Sequence, residues 1–428
     1  MNNFIEELRW RGKLQDAMPG TEALLQQEQV TAYIGFDPTA DSLHVGSLVQ
    51  IILMMRLQKA GHKPIALIGG ATGMIGDPSG KSEERNLLNA DQLQQNVEGV
   101  QKQLSQFLDF TPGSNAAVLL NNYDWYKGMG LLDFMREVGK HLTVNYMMAK
   151  DSVSRRMEAG GLSFTEFSYQ LIQGYDFYYL YKNHGCKLQM GGSDQWGNIT
   201  AGTELIRRIG GGEGFALTIP LITKSDGTKF GKSEGGNIWL DPTKTSPYQF
   251  YQFWLNISDE EASQYIYLFS FSSQEEILAL LDQQKNKPEA RELQQALAQE
   301  MTLLVHGSNA LESAKAATDF LFGKGGIQNR SLKEPWFDEV RKTVPGAQVE
   351  RALFSPGVSV AQLLTDIQVF PSKAELKRMV QGGGLKINEQ KIENPDQLLT
   401  LQDLIEDEFL LIQKGKKNYF VVEVINSK

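Results

Sequence analysis

Cysteine is almost missing from this sequence: Cys186 is the single example in 428 residues. A disulfide framework and a thiolate zinc cluster are thereby excluded, and a reducing compartment without redox chemistry is expected. Long hydrophobic runs are missing too. No stretch approaches the roughly 20 apolar residues of a membrane span, and the opening "MNNFIEELRWRGK" is charged where a signal peptide needs an apolar run, so a cytoplasmic protein is expected. Positive charge is in deficit, with 42 Lys and Arg against 51 Asp and Glu, a net charge of -9 and an isoelectric point near 5.3. That balance argues against a chain coated in nucleic acid unless basic groups are concentrated locally. Internal repeats and low-complexity tracts are absent. What is present is 41% apolar residues, enough in a chain of this length for a large core and one or two satellites.

Up to residue 222, short apolar runs alternate with longer periodic segments: TAYIGF, LVQIILMMRLQKAG, KPIALIGG, then AAVLL, KLQMGG and FALTIPLI. The rhythm is that of βαβ units and predicts an α/β domain with a Rossmann-like parallel sheet. Leu48, Ile51, Ile52 and Met55 fall at helical spacing, and Gly61 after Lys59 marks a stop. Glycines and aspartates gather where strands should end, in GFDP, GGATGMIGDPSG and GGSDQ, and in open sheets such ends share one cleft. A lysine-rich loop follows over 223–246, then helical patterns over 247–322. Residues 323–354, with GKGG, EPW and a further proline at 345, predict a linker, and 355–428 two short helices and a few strands. Cys186, Trp196 and His306 read as packing residues.

Four segments carry candidate chemistry. In "YIGFDPTADSLHVGS" a helix should begin near Gly46, which puts His44 where unpaired amides favour an anion; a plain helix cap is the alternative. "GGATGMIGDPSGKS" resembles a P-loop, but Gly76 leaves three residues before Gly80 where the pattern needs four. Asp77 then suits a cationic group, while Lys81 and Arg85 share one helix face or merely solvate a helix start. In "LITKSDGTKFGKSEGG", Lys224, Lys229 and Lys232 among glycines suit a polyphosphate or form a solvent loop. Tyr169, Gln173 and Asp176 in "FTEFSYQLIQGYDF" share one helix face, either the lining of a polar pocket or a solvent face. In "QMGGSDQWGN", Gly191 and Gly192 permit close approach and Asp194 suits a ribose hydroxyl, or the stretch is a tight turn.

Taken in this order, the segments resemble the bacterial tyrosyl-tRNA synthetases, a class I family, over nearly the whole chain. "PTADSLHVGS" is similar to the family's HIGH signature and "KFGKS" to its KMSKS signature, with the tyrosine and ribose segments in "FTEFSYQLIQGYDF" and "GGSDQWGNITAG". The resemblance implies L-tyrosine, ATP with Mg2+ and tRNA(Tyr) as substrates, and no protein-bound metal. It also implies that Tyr33 and Asp176 bind the phenolic hydroxyl, Asp77, Tyr169 and Gln173 the ammonium group, and that Gln195 places the carboxylate. Gly35, Asp37, Gly192 and Asp194 would hold the amino acid or the adenosine. Thr39, His44 and Gly46 would meet the phosphates, with Lys81, Arg85, Lys229, Lys232 and Ser233 around the departing pyrophosphate. Three departures stand out: Ser47 in place of a histidine, Phe230 and Gly231 in place of Met and Ser, and Ile34 where some relatives carry cysteine.

The charge deficit reverses near the C-terminus, where Lys373, Lys377, Arg378, Lys386 and Lys391 face only Glu375 and Glu389 over 372–391. "PSKAELKRMVQGGGLKINEQKI" resembles the S-four-like RNA-binding domain, which implies tRNA as the partner of an α+β module. The family implies an anticodon-binding type for the helical segment, and a homodimer with its interface in an insertion near 123–160. Two other readings compete. A non-catalytic RNA-binding protein on a synthetase scaffold would show damage at His44, Lys229, Lys232 or Asp176, and all four are intact. A tryptophanyl relative would need other polar partners than the Tyr33 and Asp176 pair.

Overall fold

The computed structural model describes residues 3–79, 88–159, 161–223, 230–233, 236–322, 332–415 and 418–426. The short apolar runs of the N-terminal half form strands, and LVQIILMMRLQKAG a helix. β1 (Asp16–Ala17), β2 (Thr31–Phe36), β3 (Lys63–Ile68), β4 (Val118–Asn121), β5 (Cys186–Gly192) and β6 (Phe215–Ile219) make one sheet in the order β1-β6-β5-β2-β3-β4. Neighbours pair in parallel, except for the two-residue edge strand β1, which runs against β6. β3 and β6 are buried almost throughout, as strands covered on both faces are. From β2 the chain steps outward through β3 to β4, then returns to the other side of β2 to lay down β5 and β6. β2 and β5 therefore flank a topological switch point, the place where a crevice opens beyond the carboxyl ends of the strands.

The helix Val45–Lys59 packs on β2 and β3 and on the helices Ala90–Phe107 and Asp259–Phe269. Leu48, Ile51 and Ile52 are buried, but so are Val49, Leu53, Met54 and Leu57, while Met55 is half-buried. A helix covered on several sides needs no single apolar stripe. The helix Phe164–His184 starts at a Ser163 cap and stops at Gly185, whose φ of 63° is left-handed. Its Phe177 and Leu180 join Tyr33, Ile65, Leu67 and Cys186 in one core cluster. Gly202 on the helix Trp196–Leu205 lets it come close, since a Cβ there would sit 2.8 Å from Phe177.

The chain divides into two compact units, Met1–Thr245 with Leu255–Leu297, and Ser246–Trp254 with Ala298–Lys428. The segment 247–322 carries the helices Pro247–Leu255, Asp259–Phe269, Gln274–Asn286 and Glu292–Phe322, the last broken at Gly307 with φ 83°. In the second unit, His306 packs edge-on against Phe250 at 4.9 Å. That unit also holds a five-stranded sheet of Gly346–Glu350, Leu385–Ile387, Gln390–Lys391, Phe409–Lys414 and Asn418–Ile425. The expected linker is corrected here. Residues 335–343 form a helix with Pro335 in its first turn, and Gly346–Glu350 pairs in parallel with Asn418–Ile425. Pro335 instead starts a helix, a position where the missing N–H costs nothing, and Pro345 precedes the strand Gly346–Glu350.

Candidate active site

Beyond the switch point lies a cleft of about 380 Å³, lined by residues 33–37 and Thr39 in and after β2, by Gln189–Gly192, Asp194 and Gln195 in and after β5, and by Leu67, Gly69, Thr72, Asp77 and Asn122. Tyr169, Gln173 and Asp176 reach it from the Phe164–His184 helix, and Ser47 and Gln50 from the Val45–Lys59 helix. The geometry therefore brings together Tyr33, Gly35, Asp37, Thr39, Asp77, Tyr169, Gln173, Asp176, Gly192, Asp194 and Gln195 of the sequence-derived set. His44 and Gly46 lie outside the lining, at the start of the Val45–Lys59 helix. Lys81, Arg85, Lys224 and Lys229 lie outside the described residues, and Lys232–Ser233 are placed as a short strand paired with Gly236–Asn237.

At the helix start the first three amides are already engaged. Val45 donates to the Ile238 carbonyl at 2.8 Å, Gly46 to His44 Nδ1 at 3.0 Å and Ser47 to the His44 carbonyl at 2.8 Å. His44 is thus the cap of this helix. Because Nδ1 accepts, the imidazole is neutral with its proton on Nε2, and that nitrogen is a donor suited to an anionic oxygen.

Two carboxylates anchor the cleft walls. Asp37 receives Thr72 Oγ1 at 2.7 Å and the Tyr169 hydroxyl at 3.0 Å. Asp77 receives Gln195 Nε2 at 2.7 Å, the Ser79 amide at 2.9 Å and Asn198 Nδ2 at 3.3 Å. With Asp176 and Asp194 they make four carboxylates on one cleft, and none of its described lining residues is Lys or Arg. Carboxylates gathered in this way favour an ammonium group. Among the described residues, no group of three or more His, Cys, Asp or Glu side chains is arranged to hold a metal.

The floor is drier. Asp176 is 1% exposed; its oxygens accept Asn122 Nδ2 at 3.0 Å and Trp125 Nε1 at 2.9 Å. Burial pushes its pKa up to about 7, against the opposing pull of those two donors. Beside it, Tyr33 is 1% exposed and its hydroxyl has no partner among the described residues. Burial, with the Asp176 charge next in weight, holds that phenol well above its ordinary pKa. Gln189 Oε1 and Gln50 Oε1 are likewise buried without a partner. Such atoms cost free energy unless something bonds to them. Three of them lie on this cleft, where a polar ligand would satisfy them.

Asn122, Trp125, Thr72, Gln189, Gln50 and Asn198 were not read from the sequence. A signal existed for two of them: Gln189 is a polar residue inside the buried strand run KLQMGG, and Asn122 follows the strand run AAVLLN at a carboxyl end. Trp125 has none, since its partner lies far away in sequence, and Asn198 meets Asp77 across 121 positions.

The family described as "tRNA synthetases class I (W and Y)" matches residues 25–323, and a "Tyrosine--tRNA ligase SYY-like C-terminal domain" matches 337–422. A tyrosine--tRNA ligase of Bacteroides thetaiotaomicron is 58% identical over 98% of this chain and 99% of its own, and one of Porphyromonas gingivalis 55% over 99% and 100%. Among solved structures, a C-terminally truncated mitochondrial tyrosyl-tRNA synthetase of Aspergillus nidulans superimposes with a TM-score of 0.67 at 30% identity, covering 75% of this chain and 95% of that one.

Proposed function

The chain belongs to the class I tyrosyl-tRNA synthetases, and from that premise we propose how its residues share the work. The reaction is ligation of tyrosine to tRNA with ATP as co-substrate. The tyrosine carboxylate attacks the α-phosphorus of ATP, pyrophosphate leaves, and the tyrosyl group of the adenylate then passes to the terminal ribose of tRNA as AMP departs.

The unpartnered Tyr33 hydroxyl beside the Asp176 carboxylate carries the assignment of the floor. A phenol entering there donates to Asp176 and meets Tyr33, satisfying the orphan. Asp77, with Tyr169 and Gln173, takes the ammonium group, and Gln195 the carboxylate. Gly35, Asp37, Gly192 and Asp194 receive the adenosine, while Thr39, Gly46 and His44 Nε2 meet the phosphates. Lys81, Arg85, Lys229, Lys232 and Ser233 neutralise the leaving pyrophosphate. ATP enters as its Mg2+ complex. No side chain acts as a nucleophile; rate comes from alignment and from charge stabilisation on the phosphoryl group.

Transfer to tRNA uses the second unit. Lys373, Lys377 and Arg378 are exposed on the helix Lys373–Gln381, whose Leu376 and Val380 turn inward. Lys386 stands directly opposite Lys391 across a hairpin. Like charges so placed repel, and an RNA phosphate relieves them. The helical segment contributes an anticodon-side surface. A homodimer completes the enzyme, through the insertion near 123–160, where Leu131, Leu132 and Val144 are 70%, 82% and 59% exposed; apolar side chains so exposed call for a partner. The scarcity of cysteine fits work in the cytoplasm; among the described residues no helix is long and apolar enough to cross a membrane.

The direct test is exchange of labelled pyrophosphate into ATP with Mg2+ and no tRNA, run with tyrosine, phenylalanine or tryptophan. Exchange with tyrosine alone supports the whole assignment of the floor. Exchange with none of the three would leave a non-catalytic RNA-binding role.

A further inference from the structure

The stretch bearing Lys232 is held in place by a residue from outside the cleft. Phe230, two positions before Lys232, is 8% exposed. Its ring lies 4.8 Å edge-on to Tyr265 and 5.3 Å from Phe269, two residues one helical turn apart on Asp259–Phe269. Tyr265 is itself 2% exposed, and its hydroxyl donates to the Thr223 carbonyl at 3.2 Å. One side chain thus meets the chain at both Thr223 and Phe230. The helix that presents it is fixed at each end: Ser258 and Glu261 close a capping box at the start, and at the far end Arg11 and Arg56 donate to the Tyr267 and Leu268 carbonyls.

Beyond Phe230 the path is equally constrained. Gly231 has φ 85°, and a Cβ there would come within 2.8 Å of Val45 Cγ1, so no other residue fits without displacement. The Gly231 carbonyl accepts the Ile238 amide at 3.0 Å, and the Ile238 carbonyl accepts the Val45 amide at 2.8 Å. The backbone of Lys232 is therefore set between Tyr265 on one side and the helix start capped by His44 on the other. The replacement of Met by Phe in the signature acquires a physical reason. A rigid ring offers Tyr265 and Phe269 a directional contact that a flexible thioether does not.

We propose that Tyr265 is a positioning residue for adenylate formation, acting through Phe230 and the Thr223 carbonyl on the placement of Lys232. The inference rests on the assignment of Lys232 to the leaving pyrophosphate. An ammonium group aids a phosphoryl transition state only where it is held in register with it.

The experiment uses the full-length protein and three single variants, Tyr265→Phe, Tyr265→Leu and Lys232→Ala, with the double variant of the last two. Single-turnover adenylate formation gives the chemical rate, and equilibrium dialysis gives the tyrosine Kd. Tyr265→Phe keeps the ring and loses the Thr223 bond, so the rate should fall by about threefold. Tyr265→Leu should lower it by about tenfold or more, with tyrosine Kd unchanged. Added to Lys232→Ala it should cost little further, because its effect is exerted through that lysine. The proposal is overturned if Tyr265→Leu keeps the wild-type rate, if it loses tyrosine affinity in proportion, or if the two effects multiply. An inert Lys232→Ala would bring down the assignment of the lysine as well, whereas an impaired Lys232→Ala beside an unaffected Tyr265→Leu would remove the positioning role alone.

Discussion

Replacing Asp176 with Asn keeps the shape of the cleft floor and changes its electrostatics in two calculable ways. Both carboxylate oxygens accept an N–H, one from Asn122 at 3.0 Å and one from Trp125 at 2.9 Å. An amide must turn its NH2 toward one of those donors. One bond is then lost and its partner left unsatisfied, at about 1–3 kcal/mol, the same scale on which the variant should lose its hold on a substrate hydroxyl. Tyrosyl enzymes are themselves the measured case of rejecting phenylalanine by about 10⁵, and Asp176→Asn should give up one to two of those decades by losing tyrosine turnover, with phenylalanine little changed. The second effect concerns charge. The folded-state pKa of Asp176 is raised from 3.8 to about 7 by burial. Below 3.8 the group is protonated whether the chain is folded or not, and contributes nothing. Between the two values the unfolded chain ionises first, so stability falls as pH rises. Above 7 the full cost, on the order of 4 kcal/mol, is present. Urea titrations from about pH 4 to pH 8 should therefore show Asp176→Asn gaining on wild type as pH rises, whatever constant offset the amide introduces. In pyrophosphate exchange, wild-type kcat/KM for tyrosine should rise through about pH 7 as the carboxylate forms, and the variant should lack that inflection. A variant that discriminates as wild type does, or whose stability runs parallel to wild type across the range, would refute the reasoning.

Three further outcomes are expected. His44→Ala removes the cap of the Val45–Lys59 helix and the Nε2 donor, so unfolding should become easier by about 1 kcal/mol, and the single-turnover rate should drop far more than tyrosine affinity; equal losses in both would contradict a role at the phosphates. Truncation after Phe322 should spare pyrophosphate exchange and abolish or weaken tRNA charging. In the full chain that charging should decline steeply with salt, as phosphate contacts do; undiminished charging by the truncated enzyme would remove the C-terminal unit from tRNA binding. Leu132→Asp, placed on the 82% exposed residue, should convert a dimer to monomers in analytical ultracentrifugation, whereas an unchanged sedimentation coefficient would move the interface elsewhere.

The strands and the cleft were legible because burial on both faces leaves long apolar runs, and because glycines and aspartates must sit where such strands end. Tyr169, Gln173 and Asp176 could be grouped from helical spacing alone. What sequence spacing does not reveal is a partner met only after folding. Trp125 reaches Asp176 across 51 positions, and Tyr265 reaches Thr223 across 42; neither leaves a periodic trace. Residues 335–350 misled for a different reason. Pro335 and Pro345 punctuate the chain as they would in a linker, yet one opens a helix and the other precedes an edge strand. His44 shows the converse, since its place before a helix was plain from the sequence while its engagement with the Gly46 amide required coordinates.

The three unsatisfied atoms on the cleft, on Tyr33, Gln189 and Gln50, also bear on the life of the molecule between turnovers. An enzyme that carries such orphans when empty is easier to unfold than the same enzyme when full, and its resistance to proteolysis rises with the concentration of whatever satisfies them.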